Sequence, residues 1–207
     1  RALMKETGYP GMKVLEFAFD GNPANDHKPS NYSENCVAYT GTHDNEPLLA
    51  YIESLGKSER AVFEKDLKRE CAAADVPFRG SSVSALNKTA IRLLFSSRAF
   101  AAIVPMGDLL CLGKIARINF PSTVSTQNWS YRFEEKDFSG KVWTWLKKLA
   151  EKYGKKFKNE FFAPGETELG ERIIVMVNGR RVEFLEGIRT ELKESDTVQI
   201  FPVVAGG

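Results

Sequence analysis

Residues 37–45 combine an apolar run with the side-chain types that do chemistry. Val37, Ala38 and Tyr39 are followed at once by Thr-Gly-Thr-His-Asp-Asn. The catalytic face of a (β/α) barrel typically has buried strands that end in such imidazole, carboxylate and amide groups. Gly41 predicts that the backbone passes close to another group. The same cluster is also typical of a turn or a helix N-cap, and its spacing alone favours neither interpretation.

Three strands and three helices are predicted around this cluster. We place the strands at 12–19, 36–40 and 100–105, and the helices at 48–52, 58–74 and 85–97. The strand at 100–105 also ends in polar residues, which include Asp108. The polar stretch 21–33 predicts a surface loop that contains His27.

The last third of the chain has a different pattern. An amphipathic helix at 142–153 is followed by a strand at 172–177 and an Asn178-Gly179 turn. A return strand at 180–184 and a final strand at 197–202 complete it. We therefore place a domain boundary between residues 140 and 141.

Composition excludes several classes of protein. The 207 residues are 43% hydrophobic and 27% charged, which is typical of a globular protein of one large or two small domains. A net charge of +2 gives no argument for nucleic-acid binding. No apolar run reaches the roughly 18 residues of a membrane helix, and no signal peptide opens the chain. Cys36, Cys71 and Cys111 suit neither a disulfide framework nor a zinc site, so we expect reduced thiols in a cytoplasmic protein without a metal.

The start of the chain predicts a fragment. Arg1 lies inside a segment with a helical pattern, and no initiator methionine precedes it. We expect a longer polypeptide.

Six blocks of sequence together resemble the 4-α-glucanotransferases, the amylomaltases of glycoside hydrolase family 77. They occur in the family's order at 17–20, 27–32, 39–45, 105–110, 116–119 and 128–132. The resemblance covers residues 1 to about 140 and implies the C-terminal portion of a (β/α)₈ TIM barrel. The implied substrate is an α-1,4-glucan such as a maltooligosaccharide.

The resemblance also implies roles for particular residues. Asp44 corresponds to the acid that stabilises the charged transition state of a retaining double displacement. His43, Asn45, His27 and Asn31 correspond to substrate contacts. The family's nucleophile and acid/base lie on earlier strands that these 207 residues lack, so we expect the isolated chain to be inactive towards maltooligosaccharides. No metal or organic cofactor is implied.

The C-terminal third resembles the ubiquitin-like sulfur carriers, especially the small subunit of molybdopterin synthase. The blocks at 177–180, 192–198 and 201–207 carry this similarity. It implies that Gly206 and Gly207 form a tail whose terminal carboxylate becomes a thiocarboxylate. The implied partners are an adenylating enzyme, which binds the ATP, and a molybdopterin synthase large subunit. No pattern ahead of residue 142 predicts the hairpin that opens this family's β-grasp.

The predicted fold class is therefore α/β, a partial barrel at 1–140 followed by a partial ubiquitin-like β-grasp (α+β) unit at 141–207. The first functional hypothesis is a 4-α-glucanotransferase fragment with a sulfur-carrier-like tail. The alternative is a sulfur carrier that acts through Gly207. A third possibility is that neither part folds to a working state, because half a barrel leaves strand edges unpaired and apolar surface uncovered.

Overall fold

The computed structural model describes residues 6–137, 140–161, 173–193, 196 and 198–202. The chain divides into two compact units, Arg1–Lys148 and Leu149–Gly207. Both units contain helices and strands, which confirms the predicted mixture of helix and strand of the α/β class. Across the described helices, no segment combines the length and the apolar character needed to cross a lipid bilayer.

A parallel sheet organises the first unit. Its strands are β1 (Gly11–Val14), β2 (Cys36–Tyr39) and β3 (Ala101–Ile103), in that spatial order. Val14 is aligned with Tyr39, and Tyr39 with Ile103, so the three carboxyl ends share one edge of the sheet. The first three residues of β2 are fully buried, as expected for a central parallel strand.

Among the described residues, three helices lie between β2 and β3 in the chain, α1 (Leu48–Ser54), α2 (Lys57–Ala73) and α3 (Val83–Ser96), and the short α4 (Met106–Leu109) follows β3. The predicted inward positions of α3 are all buried, and the side chain of Ser82 caps this helix by accepting a hydrogen bond from the Ala85 amide at 3.3 Å. Phe63 and Leu67 of α2 are buried as the helical spacing predicts, whereas Val62 is 38% exposed.

The first predicted strand is shorter than its apolar pattern indicates. β1 ends at Val14, and a 3₁₀ turn at Leu15–Phe17 replaces the rest of the predicted strand 12–19. The Glu16 amide donates to the Thr40 carbonyl at 3.1 Å, which ties this turn to the end of β2. The turn buries Leu15 and Glu16 together and leaves Phe17 exposed, which alternation along a strand would not do.

The second unit contains an antiparallel sheet, preceded by helix α5 (Gly140–Phe161), which spans the division between the units. Strands β4 (Ile173–Val177), β5 (Arg180–Arg181) and β6 (Val198–Pro202) lie in the order β5-β4-β6. The predicted Asn178-Gly179 turn is present, with positive φ angles of 51° and 78°.

The return strand predicted at 180–184 is only two residues long, because a 3₁₀ turn begins at Val182. That turn brings Val182 into a buried cluster with Val175 and Val177. The predicted sulfur-carrier terminus, Gly206 and Gly207, lies outside the described residues.

Candidate functional site

The candidate site lies where β2 ends and the chain enters the loop that precedes α1. His43 and Asp44 are about half exposed, and the His43 Nε2 lies 3.5 Å from the Asp44 Oδ1. The same carboxylate oxygen accepts a hydrogen bond from the Asn119 side-chain amide at 2.6 Å. The Asn119 backbone amide donates to the His43 carbonyl at 3.1 Å. Asn119 thus links segment 117–132 to the two predicted site residues through both its side chain and its backbone.

Arg117 makes most of the remaining contacts between this segment and the loop after β2. Its guanidinium donates to the Asp44 carbonyl at 3.0 Å and to the Glu46 carboxylate at 3.3 Å. A third hydrogen bond reaches the Asn119 carbonyl at 3.0 Å. Composition predicts only a loop here, so sequence reasoning assigned Arg117 no role, although it lies within one of the family-like blocks.

Asn45 holds the shape of the loop from within. Its Oδ1 accepts hydrogen bonds from the Thr42 amide at 2.9 Å and the Thr42 hydroxyl at 2.7 Å. A Cβ on Gly41 would lie 2.9 Å from the Glu16 Oε1, so any larger residue at this position would have to displace the Glu16 carboxyl group. The predicted close approach at Gly41 is therefore an approach to a buried carboxyl group.

Glu16 is an acid that the sequence analysis missed. It is only 4% exposed, and its Oε1 accepts no hydrogen bond within the described part of the chain. Burial, reinforced by the negative charge of Asp108, raises the pKa of Glu16 to about 8, although a hydrogen bond with Asn45 opposes the shift. The available signal was a glutamate between Leu15 and Phe17 in an otherwise apolar segment.

Asp108 is the second buried acid of the site. It accepts hydrogen bonds from the Thr40 hydroxyl at 2.5 Å and from the Leu48 amide at 2.7 Å, so it links the end of β2 to the start of α1. Burial raises the pKa of Asp108 to about 6, against the effect of these two hydrogen bonds. A carboxyl group with these two donors organises the backbone at the site.

A cavity of about 80 Å³ opens beside these groups. Its lining combines both loops with the start of α4: Gly41, Thr42, Asn45, Glu46, Pro47, Pro105, Met106, Gly107, Asp108, Ala116, Arg117, Ile118 and Phe133. The site therefore presents the accessible, hydrogen-bonded carboxylate of Asp44, the adjacent imidazole of His43 and a small cavity. Among the described residues, no group of three or more His, Cys, Asp or Glu side chains could hold a metal ion.

The structure gives His27 and Asn31 positions in the loop at 21–33. The His27 Nδ1 accepts a hydrogen bond from the Val14 amide at 3.0 Å, and its ring lies edge-on to Phe17. The Asn31 side chain donates to the Pro23 carbonyl at 2.8 Å and the Asn25 carbonyl at 2.9 Å. These bonds hold the loop in place, and substrate contact by either residue stays a prediction.

Comparison with known families confirms both resemblances. The profile of the 4-alpha-glucanotransferase family, glycoside hydrolase family 77, matches residues 1–137, and the profile of the ThiS family matches residues 139–207.

Individual relatives agree with the first match. The 4-alpha-glucanotransferase of Clostridium butyricum is 40% identical over 151 residues, which are 73% of this chain and 29% of the relative. The chloroplastic/amyloplastic enzyme of Arabidopsis thaliana is 39% identical over 130 residues, covering 63% of this chain and 20% of the relative. Among solved structures, the amylomaltase of Streptococcus agalactiae in complex with acarbose has a TM-score of 0.62 and 32% identity. That match covers 74% of this chain and 29% of the amylomaltase. The chain thus spans less than a third of each of these proteins.

Proposed function

The chain belongs to the 4-alpha-glucanotransferase family, and from that premise we propose that residues 1–140 form the C-terminal portion of a glucan-transferring (β/α)₈ barrel. In this proposal Asp44 stabilises the positively charged transition state of a retaining transfer between α-1,4-glucans. His43, Asn45, His27 and Asn31 contact the sugar. The three parallel strands with a shared carboxyl edge support the barrel assignment.

The environment of Asp44 is the observation that carries the proposal. Asn119 holds its Oδ1 at 2.6 Å, and the side chain still remains 48% exposed. A carboxylate that is fixed before substrate arrives can stabilise charge that develops on a sugar ring, because little reorganisation is needed during the reaction. The neighbouring His43 supplies a polar group for a sugar hydroxyl.

Glu16 and Asp108 do not replace the other two carboxylates that retaining chemistry requires. A nucleophile and an acid/base must reach opposite sides of one glycosidic bond and stand about 5 Å apart. Glu16 is 4% exposed and Asp108 1% exposed, so neither reaches a sugar in this conformation. These 207 residues are therefore proposed to bind glucan without transferring it. The whole reaction would need carboxylates from the preceding part of a barrel and no metal or organic cofactor.

Isothermal titration of the 207-residue chain with acarbose tests the role of Asp44. We expect Asp44→Asn to weaken binding at least about tenfold, since hydrogen bonds to charged groups contribute about 1.5–3 kcal/mol. Asp75→Asn, an equivalent change at an exposed residue after α2, is the control and should bind acarbose like the wild type. Equal affinities of the wild type and Asp44→Asn would contradict the assignment. Disproportionation of maltotriose by the purified chain would contradict the expected inactivity.

The ThiS-family match supports a second function for residues 141–207, which we propose form a partial β-grasp sulfur carrier. The antiparallel β5-β4-β6 order and the Asn178-Gly179 hairpin support this fold. In the proposed reaction the Gly207 carboxylate attacks the α-phosphorus of ATP in an adenylating enzyme, and pyrophosphate leaves. Sulfide then attacks the acyl carbon and displaces AMP, which leaves a thiocarboxylate. A molybdopterin synthase large subunit would be the acceptor protein.

Mass spectrometry of the intact chain tests this carrier function. The chain is incubated with a sulfur-carrier adenylating enzyme, Mg-ATP and sulfide, and we expect exchange of one oxygen atom for sulfur. A variant that lacks Gly207 should stay unmodified. Absence of both adenylate and thiocarboxylate on the wild type would contradict the proposal. The number and spacing of the three cysteines suit no disulfide framework, which supports the cytoplasm as the proposed compartment for both functions.

A further inference from the structure

Trp129 has an unusual backbone conformation and an unusual exposure for its residue type. Its φ angle is 61°, in the left-handed region that bulky residues rarely adopt. Its amide donates to the Ile118 carbonyl at 2.7 Å, and its carbonyl accepts a hydrogen bond from Arg132 at 3.0 Å. The side chain nevertheless remains 59% exposed. The backbone is held in a strained conformation that presents an indole ring to solvent, and strain of this kind is concentrated at functional sites.

The indole lies beside the candidate site. Its ring centroid is 5.1 Å from that of His43, with the planes inclined by 36°. The His43 Nε2 lies 3.5 Å from the Asp44 carboxylate, and Asn119 donates to that carboxylate at 2.6 Å. An exposed aromatic ring and a group of hydrogen-bonding side chains are therefore adjacent, on two segments that hydrogen bonds hold together.

This combination matches the chemistry of a pyranose. A glucosyl ring presents C–H bonds on its faces and hydroxyl groups around its edge. The negative face of an indole attracts the C–H bonds, and carboxylate, imidazole and amide groups bind the hydroxyls. We propose that Trp129 is a stacking platform for a glucosyl unit next to Asp44, and that it sets the position of the glucan chain at this site. This inference rests on the proposed glucan-binding function.

Titration of the full 207-residue chain with maltoheptaose tests the platform. Trp129→Gly removes the ring and also relieves the positive φ, so a loss of binding cannot arise from backbone strain. The matched control is Trp143→Ala, which removes another exposed tryptophan, 57% exposed, from α5. Alanine is used there because glycine would destabilise the helix. Trp129→Phe retains an aromatic face.

We expect Trp129→Gly to weaken maltoheptaose binding roughly threefold to tenfold, in the range of aromatic contact energies. Trp129→Phe should recover most of the affinity, and Trp143→Ala should bind like the wild type. If Trp129→Gly binds maltoheptaose as tightly as the wild type while Asp44→Asn does not, the proposal that Trp129 stacks on a glucosyl unit is wrong and the proposed glucan-binding function is retained. If the wild type binds no maltoheptaose, both are wrong. Circular dichroism of each variant verifies that the fold is retained. Stacking is also contradicted if Trp129→Phe binds maltoheptaose as weakly as Trp129→Gly does.

Discussion

Replacing Glu16 with glutamine tests whether one buried carboxyl group makes the fold sensitive to pH. Burial and then the charge of Asp108 raise the pKa of Glu16 from 4.5 to about 8. Below pH 4.5 the Glu16 carboxyl group is protonated in both the folded and the unfolded chain, so it does not lower the free energy of unfolding. Between the two values only the unfolded chain releases the proton, and the free energy of unfolding falls as pH rises. Above about pH 8 the full penalty applies, which for this pKa change is roughly 5 kcal/mol.

Glutamine resembles the protonated acid in shape and supplies both a donor and an acceptor. Glu16→Gln should therefore unfold at nearly the same urea concentration as the wild type at about pH 5, and at a clearly higher concentration at about pH 9. Far-UV circular dichroism in urea measures this difference. Asp108, whose pKa is raised from 3.8 to about 6, lowers the free energy of unfolding between those two pH values in both proteins, so its effect cancels when the two are compared at the same pH.

Glu53→Gln is the matched control, because Glu53 is an exposed carboxylate on α1. It should follow the wild type at every pH. The reasoning is refuted if the wild type keeps a constant free energy of unfolding between about pH 6 and pH 9, or if Glu16→Gln loses stability as steeply as the wild type does.

Three further predictions concern a buried ion pair, core packing and backbone geometry. Lys28→Met removes the buried ammonium partner of Asp66, which still keeps Arg69 at 3.0 Å and the Gly21 amide at 2.9 Å. It should lower the free energy of unfolding by about 1.5–3 kcal/mol in urea titrations, the range for a hydrogen bond to a charged group, and no measurable loss would contradict a stabilising role for the pair. Phe63→Ala, at a side chain that is 1% exposed, should cost about 3–5 kcal/mol, whereas Val62→Ala, at a side chain that is 38% exposed, should cost much less. Gly179→Ala should cost about 1 kcal/mol through its φ of 78° alone, because nothing lies within 4 Å of a Cβ there. Hydrogen exchange across the hairpin measures that last effect, and Gly179→Asn should exchange more slowly than Gly179→Ala because asparagine adopts positive φ more readily.

Local pattern was sufficient to predict most elements of the fold. The apolar run at 36–40, the helical spacing at 85–97 and the Asn178-Gly179 pair predict β2, α3 and the hairpin turn, and all three are present. Each of these signals depends on residues that are neighbours in sequence. The strand predicted at 12–19 was too long, because its end is set by a residue that is distant in sequence. The 3₁₀ turn that ends β1 depends on a bond from Glu16 to Thr40, and no pattern within 12–19 encodes a partner that far along the chain.

The sequence by itself determined the family and the cluster His43-Asp44-Asn45, because order and spacing of short motifs are properties of the chain. Only the tertiary structure decided how that cluster is held. Asn119 and Arg117 reach it across more than seventy residues, Asp108 links Thr40 to Leu48, and Glu16 lies against Gly41. These contacts arise because parallel strands carry the ends of distant segments to one edge of a sheet, where burial also raises the pKa values of the two hidden acids. A residue's type can be seen in the sequence, whereas its burial and its partners exist only once the chain has folded.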